Sequence, residues 1–212
     1  MEKKKVSLVV IKRLPRYYRY LSDMLKKNIL RTSSKELSEK MGVTASQIRQ
    51  DLNSFGGFGQ QGYGYNVKEL SEHIGSILGM DKGYKTIIIG AGNLGLALAN
   101  HKTFEKRGFK LIGIFDSDDK KTGTHAAGIS VKPTSELKKF IKTQKPDIAI
   151  LAVPKSAVFE TANNLVSYGI KALWNFTYTE LDLPDSVVVE NVHLSDSLMT
   201  LSYRLKQLEE NK

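Results

Sequence analysis

Residues 85–98 read KTIIIGAGNLGLAL, an apolar run that leads directly into a glycine-rich turn. Residues 86–89 are typical of a buried strand, and the glycines at 90, 92 and 95 have the G-x-G-x-x-G spacing. In this motif the first glycine permits a tight turn, the second lets the backbone approach a pyrophosphate, and the third lets a helix pack against the strand. We therefore expect a dinucleotide to bind at Gly90, Ala91, Gly92, Asn93, Leu94 and Gly95.

The next predicted strand, residues 110–115, is followed by Asp116, which lies 21 residues after Gly95. A carboxylate at this position accepts hydrogen bonds from the adenosine ribose and repels a 2′-phosphate. Asp116 therefore favours NAD(H) over NADP(H). Two lysines at 120 and 121 would partly soften this preference, and we include Lys121 among the cofactor-binding residues.

Helix and strand patterns alternate along the rest of the chain, which predicts an α/β, Rossmann-like domain with a mostly parallel sheet. The predicted helices are residues 134–143 and 157–168, and the predicted strands are residues 148–153, 171–174 and 187–189. Ligands bind at the carboxyl ends of the strands in such folds. Val153 and Pro154 are therefore candidates for the nicotinamide end of the site, although an ordinary loop explains them equally well.

The 212-residue chain carries a net charge of +10, and the excess is concentrated at its start. Residues 1–65 hold 13 Lys and Arg against 5 Asp and Glu, whereas residues 66–212 hold 19 against 17. A polyanion is the natural partner of such a basic segment, and nucleic acid fits better than a membrane because no basic amphipathic anchor is evident. A well-solvated, lysine-rich surface is the alternative.

Two helix-start signals follow each other in this basic segment. Ser33 and Glu36 have the spacing of a capping box, and Gly42 is the residue type that ends a helix in the left-handed conformation. Thr44 and Gln47 predict a second capping box directly afterwards. Two short helices separated by such a turn predict a helix-turn-helix.

The second of these helices, residues 45–54, has a polar outer face. Ile48, Leu52 and Phe55 share its buried stripe, and side chains that can bond base edges lie outside. A helix-turn-helix places the start of this helix in the major groove of DNA. An ordinary amphipathic helix is the alternative. The predicted DNA contacts here are Thr44, Ala45, Ser46, Gln47, Arg49, Gln50 and Asn53.

The flanking segments complete a winged helix. A first helix is predicted around residues 15–21, with Pro15 in its first turn and an apolar face of Leu14, Tyr18, Leu21 and Leu25. Residues 55–67, FGGFGQQGYGYNV, predict a two-stranded hairpin, or wing, whose tip lies on the DNA. A helix over residues 67–78 and a linker over residues 79–83 follow. We add to the DNA-binding residues Arg13, Arg16, Ser34, Gln60, Gln61 and Tyr63.

No set of residues in the sequence predicts catalysis. Cysteine is absent, and the four histidines, at 73, 101, 125 and 193, have no catalytic or metal-ligand spacing. A hydride-transfer enzyme needs an acid–base group and usually a substrate domain, so we expect neither an enzyme nor a metal protein. An NAD-dependent oxidoreductase with a basic accessory domain is the alternative. The sequence contains no signal peptide and no run of about 20 apolar residues that would span a membrane, which favours the cytoplasm.

Five leucines near the end of the chain, at 194, 198, 201, 205 and 208, are spaced alternately by four and three residues. This heptad-like seam predicts burial against a partner helix. Packing against the chain's own sheet is the alternative, and the spacing alone does not separate the two.

Four stretches together resemble the Rex family of bacterial redox-sensing transcriptional repressors: RLPRYYRYL at 13–21, residues 33–67, GAGNLG at 90–95 and FD at 115–116. The resemblance covers nearly the whole chain. It implies a winged-helix domain over residues 1–80, an NAD(H)-binding Rossmann domain over 84–192 and a dimerisation helix over 193–212 that is swapped between subunits. It also implies a homodimer that binds double-stranded DNA at an inverted-repeat operator. NADH would close this dimer and weaken DNA binding, whereas NAD+ would permit it.

Several positions depart from the family pattern. Gln50 stands where the family usually has Lys, and Gln60 and Gln61 replace basic residues at the wing tip, which predicts weaker DNA binding or an altered operator preference. Family members commonly have Tyr where His101 stands and Asp where His193 stands. The resemblance assigns both positions to a redox switch with Arg19, which matches the family's arginine in the first helix.

The sensing hypothesis rests on charge. Oxidised nicotinamide carries a positive charge that NADH lacks, and burying that charge without a partner is costly. An apolar pocket lined by Leu194 and the strand ends therefore prefers NADH. A redox response also requires NADH to bind the closed dimer better than the open one. A Rossmann domain that serves only as a dimerisation scaffold is a further alternative.

Overall fold

A computed structural model describes residues 6–56, 58 and 63–211, and the chain divides into two compact units. The first unit ends at Lys82 and the second begins at Gly83, so the predicted linker, residues 79–83, spans the division. Each unit has its own apolar core.

The first unit is a small helical domain with one short sheet. Helix α1 packs against α4 and helix α2 packs against α3, around a core that includes Leu14, Leu21 and Ile48. Its elements are α1 (Leu8–Lys26), β1 (Arg31–Thr32), α2 (Ser34–Met41), α3 (Ala45–Asn53), β2 (Tyr65–Asn66) and α4 (Val67–Ile77).

Helix α1 is longer than the sequence pattern predicts. Ser7 caps it by accepting a hydrogen bond from the amide of Val9, and the helix then runs for 19 residues. Pro15 therefore lies inside the helix, and its predicted place in the first turn was wrong. Because proline has no amide hydrogen, the turn at Pro15 lacks one helical bond. Burial of Leu14, Tyr17 and Leu21 on both sides of it holds the helix together.

The helix-turn-helix signals are confirmed at α2 and corrected at α3. Ser33 and Glu36 form the reciprocal capping box, and Gly42 ends α2 in the left-handed region with a φ of 64°. Thr44 caps α3 by accepting from the amide of Gln47. The Gln47 side chain does not complete a second box, because it donates to Asp51 instead.

The hairpin predicted over residues 55–67 lies partly outside the described residues. Of its described part, Tyr65–Asn66 forms strand β2, which pairs antiparallel with Arg31–Thr32. Strand β1 precedes α2 and strand β2 follows α3, so their pairing joins the two ends of the helix-turn-helix segment. Arg31 also donates to the carbonyl of Tyr63.

The second unit is a seven-stranded sheet with helices on both faces. All of its neighbouring strands are parallel except β5 and β6, in the order β5-β6-β4-β3-β7-β8-β9. Strands β5 and β6 and the short helix α6 were not predicted from the sequence. The elements are β3 (Tyr84–Ile89), α5 (Asn93–Ala99), α6 (Thr103–Lys106), β4 (Phe109–Asp116), β5 (His125–Ala126), β6 (Ile129–Pro133), α7 (Leu137–Gln144), β7 (Ile148–Leu151), α8 (Val158–Tyr168), β8 (Ala172–Asn175), β9 (Val188–Asn191) and α9 (Leu194–Glu210).

Strand β3 lies at the centre of this sheet, with β4 on one side and β7 on the other. Successive side chains of β3 enter different core layers: Ile87 and Ile89 pack in one cluster and Ile88 in the other. The strand order reverses at β3, so a crevice opens at its carboxyl end. The GAGNLG turn follows directly at this place.

Helix α9 has no buried residue over its 17 residues. All five leucines of the seam are more than half exposed, between 53% and 65%, and Met199 and Tyr203 are exposed beside them. Packing on the chain's own sheet is therefore excluded. Within the described residues, no helix is long and apolar enough to cross a membrane.

The capping box at α2 gives a first prediction. Ser33→Ala should lower the free energy of unfolding by about 1 kcal/mol, because it removes the acceptor for the Glu36 amide. Ser38→Ala in the same helix is the control and should be nearly neutral, since alanine has the higher helix propensity. Urea titration of both variants measures the difference. Equal losses would contradict the capping role.

Candidate DNA interface and dinucleotide site

The outer face of α3 is open to solvent. Thr44, Ser46, Arg49, Gln50 and Asn53 are exposed, whereas Ala45 and Gln47 are half-buried. Arg49 Nη1 donates to Ser34 Oγ at 3.1 Å, so the arginine bridges from α3 to the start of α2. This contact brings two of the predicted DNA-binding residues together on one surface.

The inner side of α3 holds a charged residue that the sequence analysis missed. Asp51 is fully buried and accepts hydrogen bonds from four donors on α1 and α3. They are Arg13 Nε (2.6 Å), Arg13 Nη2 (2.6 Å), Tyr17 Oη (2.8 Å) and Gln47 Nε2 (2.8 Å). A buried carboxylate with this many donors is fully compensated, so α1 and α3 are joined by a buried ion pair.

The pKa of Asp51 reflects these contacts. Burial acts to raise it, but hydrogen bonds from Arg13, Tyr17 and Gln47 outweigh burial and hold the pKa below its ordinary value. Burial and the bond to Asp51 raise the pKa of the Tyr17 hydroxyl. Arg13 and Gln47, both predicted to contact DNA, are thus engaged within the domain, and neither side chain is free to the extent that we expected.

A groove of about 930 Å³ runs between the first turns of α1 and the outer part of α3. It contains predicted DNA-binding residues from both helices, namely Arg13, Ser46, Gln47, Arg49, Gln50 and Asn53. Of the remaining predicted contacts, Thr44 caps α3 and Ala45 is its first residue. Arg16 and Tyr63 are exposed, Ser34 is half-buried, and Gln60 and Gln61 lie outside the described residues.

The second unit contains a cavity of about 880 Å³ at the carboxyl ends of β3, β4 and β7. Eight of the predicted cofactor-binding residues line it: Gly90, Gly92, Asn93, Leu94, Asp116, Lys121, Val153 and Pro154. The opposite wall comes from α8, with Glu160, Asn164 and Tyr168. This helix was predicted from the sequence, but none of its residues was predicted to bind the cofactor.

Each glycine of the turn has a different constraint. Gly90 has a φ of 102°, and a Cβ there would strike the carbonyl oxygen of Ala152. A Cβ at Gly95 would strike the carbonyl of Gly90, so α5 packs directly on the turn. A Cβ at Gly92 would meet nothing within 4 Å. The space above Gly92 is therefore free for a ligand, as the pyrophosphate role requires.

Asp116 lies at the edge of the cavity and is already engaged. Its Oδ2 accepts from the Ala91 amide at 2.6 Å and from Lys121 Nζ at 3.1 Å, and its Oδ1 accepts from the Asp118 amide at 2.8 Å. Burial acts to raise the pKa of Asp116, but these bonds, chiefly those from Asp118 and Lys121, hold it below its ordinary value. The carboxylate is therefore ionised and orients the turn at Ala91.

Within one chain, Leu194 lies outside this cavity. It is the first residue of α9, is 58% exposed and is not among the residues that line the cavity. Its part in an apolar pocket therefore stays a prediction.

The three predicted switch residues lie in separate surroundings. Arg19, in the first unit, is exposed, with its Cζ 5.9 Å from the centre of the Tyr20 ring. In the second unit, His101 stacks on Phe104 at 4.5 Å. His193 precedes α9, with Nε2 3.7 Å from Glu180 Oε1.

A polar chain also links the end of β8 to His193. Buried Asn175 donates to the side chain of Asn191, and Asn191 donates to Glu180. The start of α9 is thereby connected to the carboxyl end of the sheet. Among the described residues, no group of three or more His, Asp or Glu side chains could hold a metal ion.

Gly92 and Gly95 should respond differently to alanine. Gly92→Ala should leave the melting temperature unchanged but weaken NADH binding at least tenfold, because its methyl group occupies the free space over the turn. Gly95→Ala should lower the melting temperature, because its methyl group meets the Gly90 carbonyl. Thermal unfolding and NADH titration measure both effects, and normal NADH binding by Gly92→Ala would contradict the site.

Asp51 should give a pH-dependent stability. Its pKa is lowered on folding, so its contribution is present at neutral pH and is lost as pH falls below about 4, through the folded-state pKa. Asp51→Asn should therefore be less stable than the parent at pH 7, and the difference should shrink as the pH falls below about 4. Urea titrations across this range test the prediction. A difference that stays constant with pH would contradict it.

Both units match models of known protein families. Residues 5–53 match the family model described as "Putative DNA-binding protein N-terminus", and residues 81–179 match the model "CoA binding domain". The redox-sensing transcriptional repressor Rex of Thermoanaerobacter pseudethanolicus is 59% identical over 98% of this chain and 93% of its own. The protein of the same name from Clostridium perfringens strain SM101 is 55% identical over 97% of both chains.

Solved structures give the same relationship. The crystal structure of RSP in complex with β-NAD+ and operator DNA matches with a TM-score of 0.91 and 58% identity, over 97% of this chain and 95% of that one. RSP in complex with β-NADH matches with a TM-score of 0.91 and 55% identity, over 97% of both chains. RSP is a Rex-family repressor. Together with the full-length sequence identity, these structures show that the chain belongs to the Rex family of redox-sensing transcriptional repressors.

Proposed function

We propose that this protein is a transcriptional repressor that senses the ratio of NADH to NAD+. It binds an inverted-repeat operator as a homodimer, and NADH releases it. One observation carries the proposal: the same chain holds an exposed polar recognition helix in a basic unit and a dinucleotide cavity in its second unit. The relatives that match over nearly the full length are repressors and not enzymes.

The dinucleotide is held by the turn and by Asp116. The open space over Gly92 admits phosphates, and no side chain among the described residues caps the first turn of α5. Its amide groups are therefore directed at negative charge. Asp116 accepts from the ribose hydroxyls and repels a 2′-phosphate, while Lys121 limits that repulsion. The role of NADH is that of a signal and involves no reaction.

The dimer is formed through α9. Its leucine seam has no partner within the described chain, and a second copy with the same seam offers the complementary surface. Two recognition helices must lie about 34–36 Å apart to enter successive major grooves on one face of DNA. Any change in the dimer that alters this separation weakens operator binding.

The reduced cofactor must favour one state of this dimer, because equal binding to both states would shift nothing. Arg19, His101 and His193 are proposed as the residues that couple the cofactor to the change of state. The chain from Asn175 through Asn191 and Glu180 to His193 supports this role, since it links the sheet to the start of α9. We also place the protein in the cytoplasm, where NADH and the chromosome are both accessible.

A gel-shift titration with an inverted-repeat operator tests the proposal. NADH should weaken operator binding at least tenfold, while NAD+ should leave it intact. NADH binding is measured separately by energy transfer from Trp174, the sole tryptophan, whose emission overlaps the absorption of NADH. If NADH binds without changing operator affinity, the second unit is only a scaffold. Oxidation of NADH by carbonyl compounds would instead indicate an enzyme.

A further inference from the structure

The fully buried Asp51 lies on the recognition helix, on the side away from its outer face. Its four donors come from α1 and from α3 itself. Stability alone does not require a charge at this place, because well-packed apolar residues of similar size often replace a buried ion pair without loss. The geometry of Arg13 indicates what the charge adds.

Arg13 is held in a fixed orientation. Its Nε and Nη2 both donate to Asp51, in the fork geometry that a carboxylate imposes on a guanidinium. A guanidinium has five N–H groups, so three remain. The side chain is 27% exposed, and it lines the groove that also contains Ser46, Arg49 and Gln50 of α3. The partly exposed Arg13 side chain therefore shares the groove with the residues of α3 that are proposed to read DNA bases.

We propose that Asp51 is a positioning residue for operator binding: it fixes the Arg13 guanidinium in the groove so that its remaining N–H groups bind one DNA phosphate next to the bases contacted by α3. The inference rests on the function proposed above. Orienting the arginine in advance removes the cost of ordering a long side chain upon binding. Gln47 donates to the same carboxylate, so Asp51 fixes the position of the Arg13 guanidinium relative to α3.

The substitution Asp51→Asn separates positioning from plain electrostatics by the sign of its effect. It removes one negative charge, so the net charge of the DNA-binding unit becomes more positive by one, and electrostatic attraction alone would strengthen binding. Positioning predicts that each subunit loses one charge-assisted hydrogen bond, worth about tenfold, so operator affinity of the homodimer falls about a hundredfold. It also predicts that the slope of log K against log salt becomes shallower by about 1.8, which corresponds to one phosphate in each subunit.

Three further variants complete the test. Arg13→Gln should reproduce both changes, and the double variant should lose no more than either single one. Arg13→Lys keeps the charge but not the fork and should also lose the contact. Lys27→Gln removes the same charge at the other end of α1, about 21 Å away along the helix, and should leave the slope unchanged. Circular dichroism, together with NADH binding measured by energy transfer from Trp174, shows whether each variant is folded.

The outcomes are distinct. Operator binding by Asp51→Asn that equals or exceeds that of the parent would overturn the inference, and so would multiplying losses in the double variant. If Asp51→Asn does not fold, the Arg13 variants decide: a parental salt slope in folded Arg13→Gln overturns the inference. Parental protein that binds no operator would instead refute the proposed function.

Discussion

The close approach of two backbone segments at the β3–α5 turn fixes the second unit. Gly95 lies against the carbonyl of Gly90, and Gly90 lies against the carbonyl of Ala152 beyond β7, so any side chain at either position would push α5 away from the sheet. With α5 seated there, the Ala91 amide reaches Asp116 at the end of β4. The ends of three strands are thus held around one cavity by two contacts that only glycine permits and by the hydrogen bond from Ala91 to Asp116.

Both units depend on a buried carboxylate, used in different ways. Asp51 is surrounded by side-chain donors, including a guanidinium, and its role is to join two helices. Asp116 is held chiefly by backbone amides and a half-exposed lysine, and it lies at the edge of a cavity where a ligand can reach it. The same group therefore joins two helices in one unit and, in the proposed function, recognises the ligand in the other, because its donors differ in rigidity and access.

The features that were predictable from the sequence are local. The capping box at Ser33, the end of α2 at Gly42 and the glycine turn depend on neighbouring residues, and each lies where the pattern predicted it. Asp51 was missed because its arginine partner is 38 residues away, and a single acidic residue on a polar helix carries no visible signal. Gln47 has two possible acceptors, the start of its own helix and Asp51, and only the packed structure selects Asp51.

Tertiary packing also explains the remaining differences. Burial on both sides of Pro15 extends α1 through a residue that usually limits a helix. Strand β5 was missed because it has only two residues. Strand β6 was missed although Ile129 to Lys132 alternate between apolar and polar residues, because Pro133 ends the run and a proline weakens the case for a strand. The wall that α8 contributes to the cavity depends on how the helix crosses the sheet, which the spacing of its apolar residues does not specify.

The unburied leucine seam of α9 has a consequence for how the protein folds. A solitary helix of 17 residues gains little from its own backbone bonds in water, and most helices in proteins owe their stability to packing. In the proposed dimer, α9 is therefore stable only when a second molecule covers it, so that the folding of this segment and the association of two chains are coupled. The melting temperature of the protein then rises with protein concentration, as mass action requires.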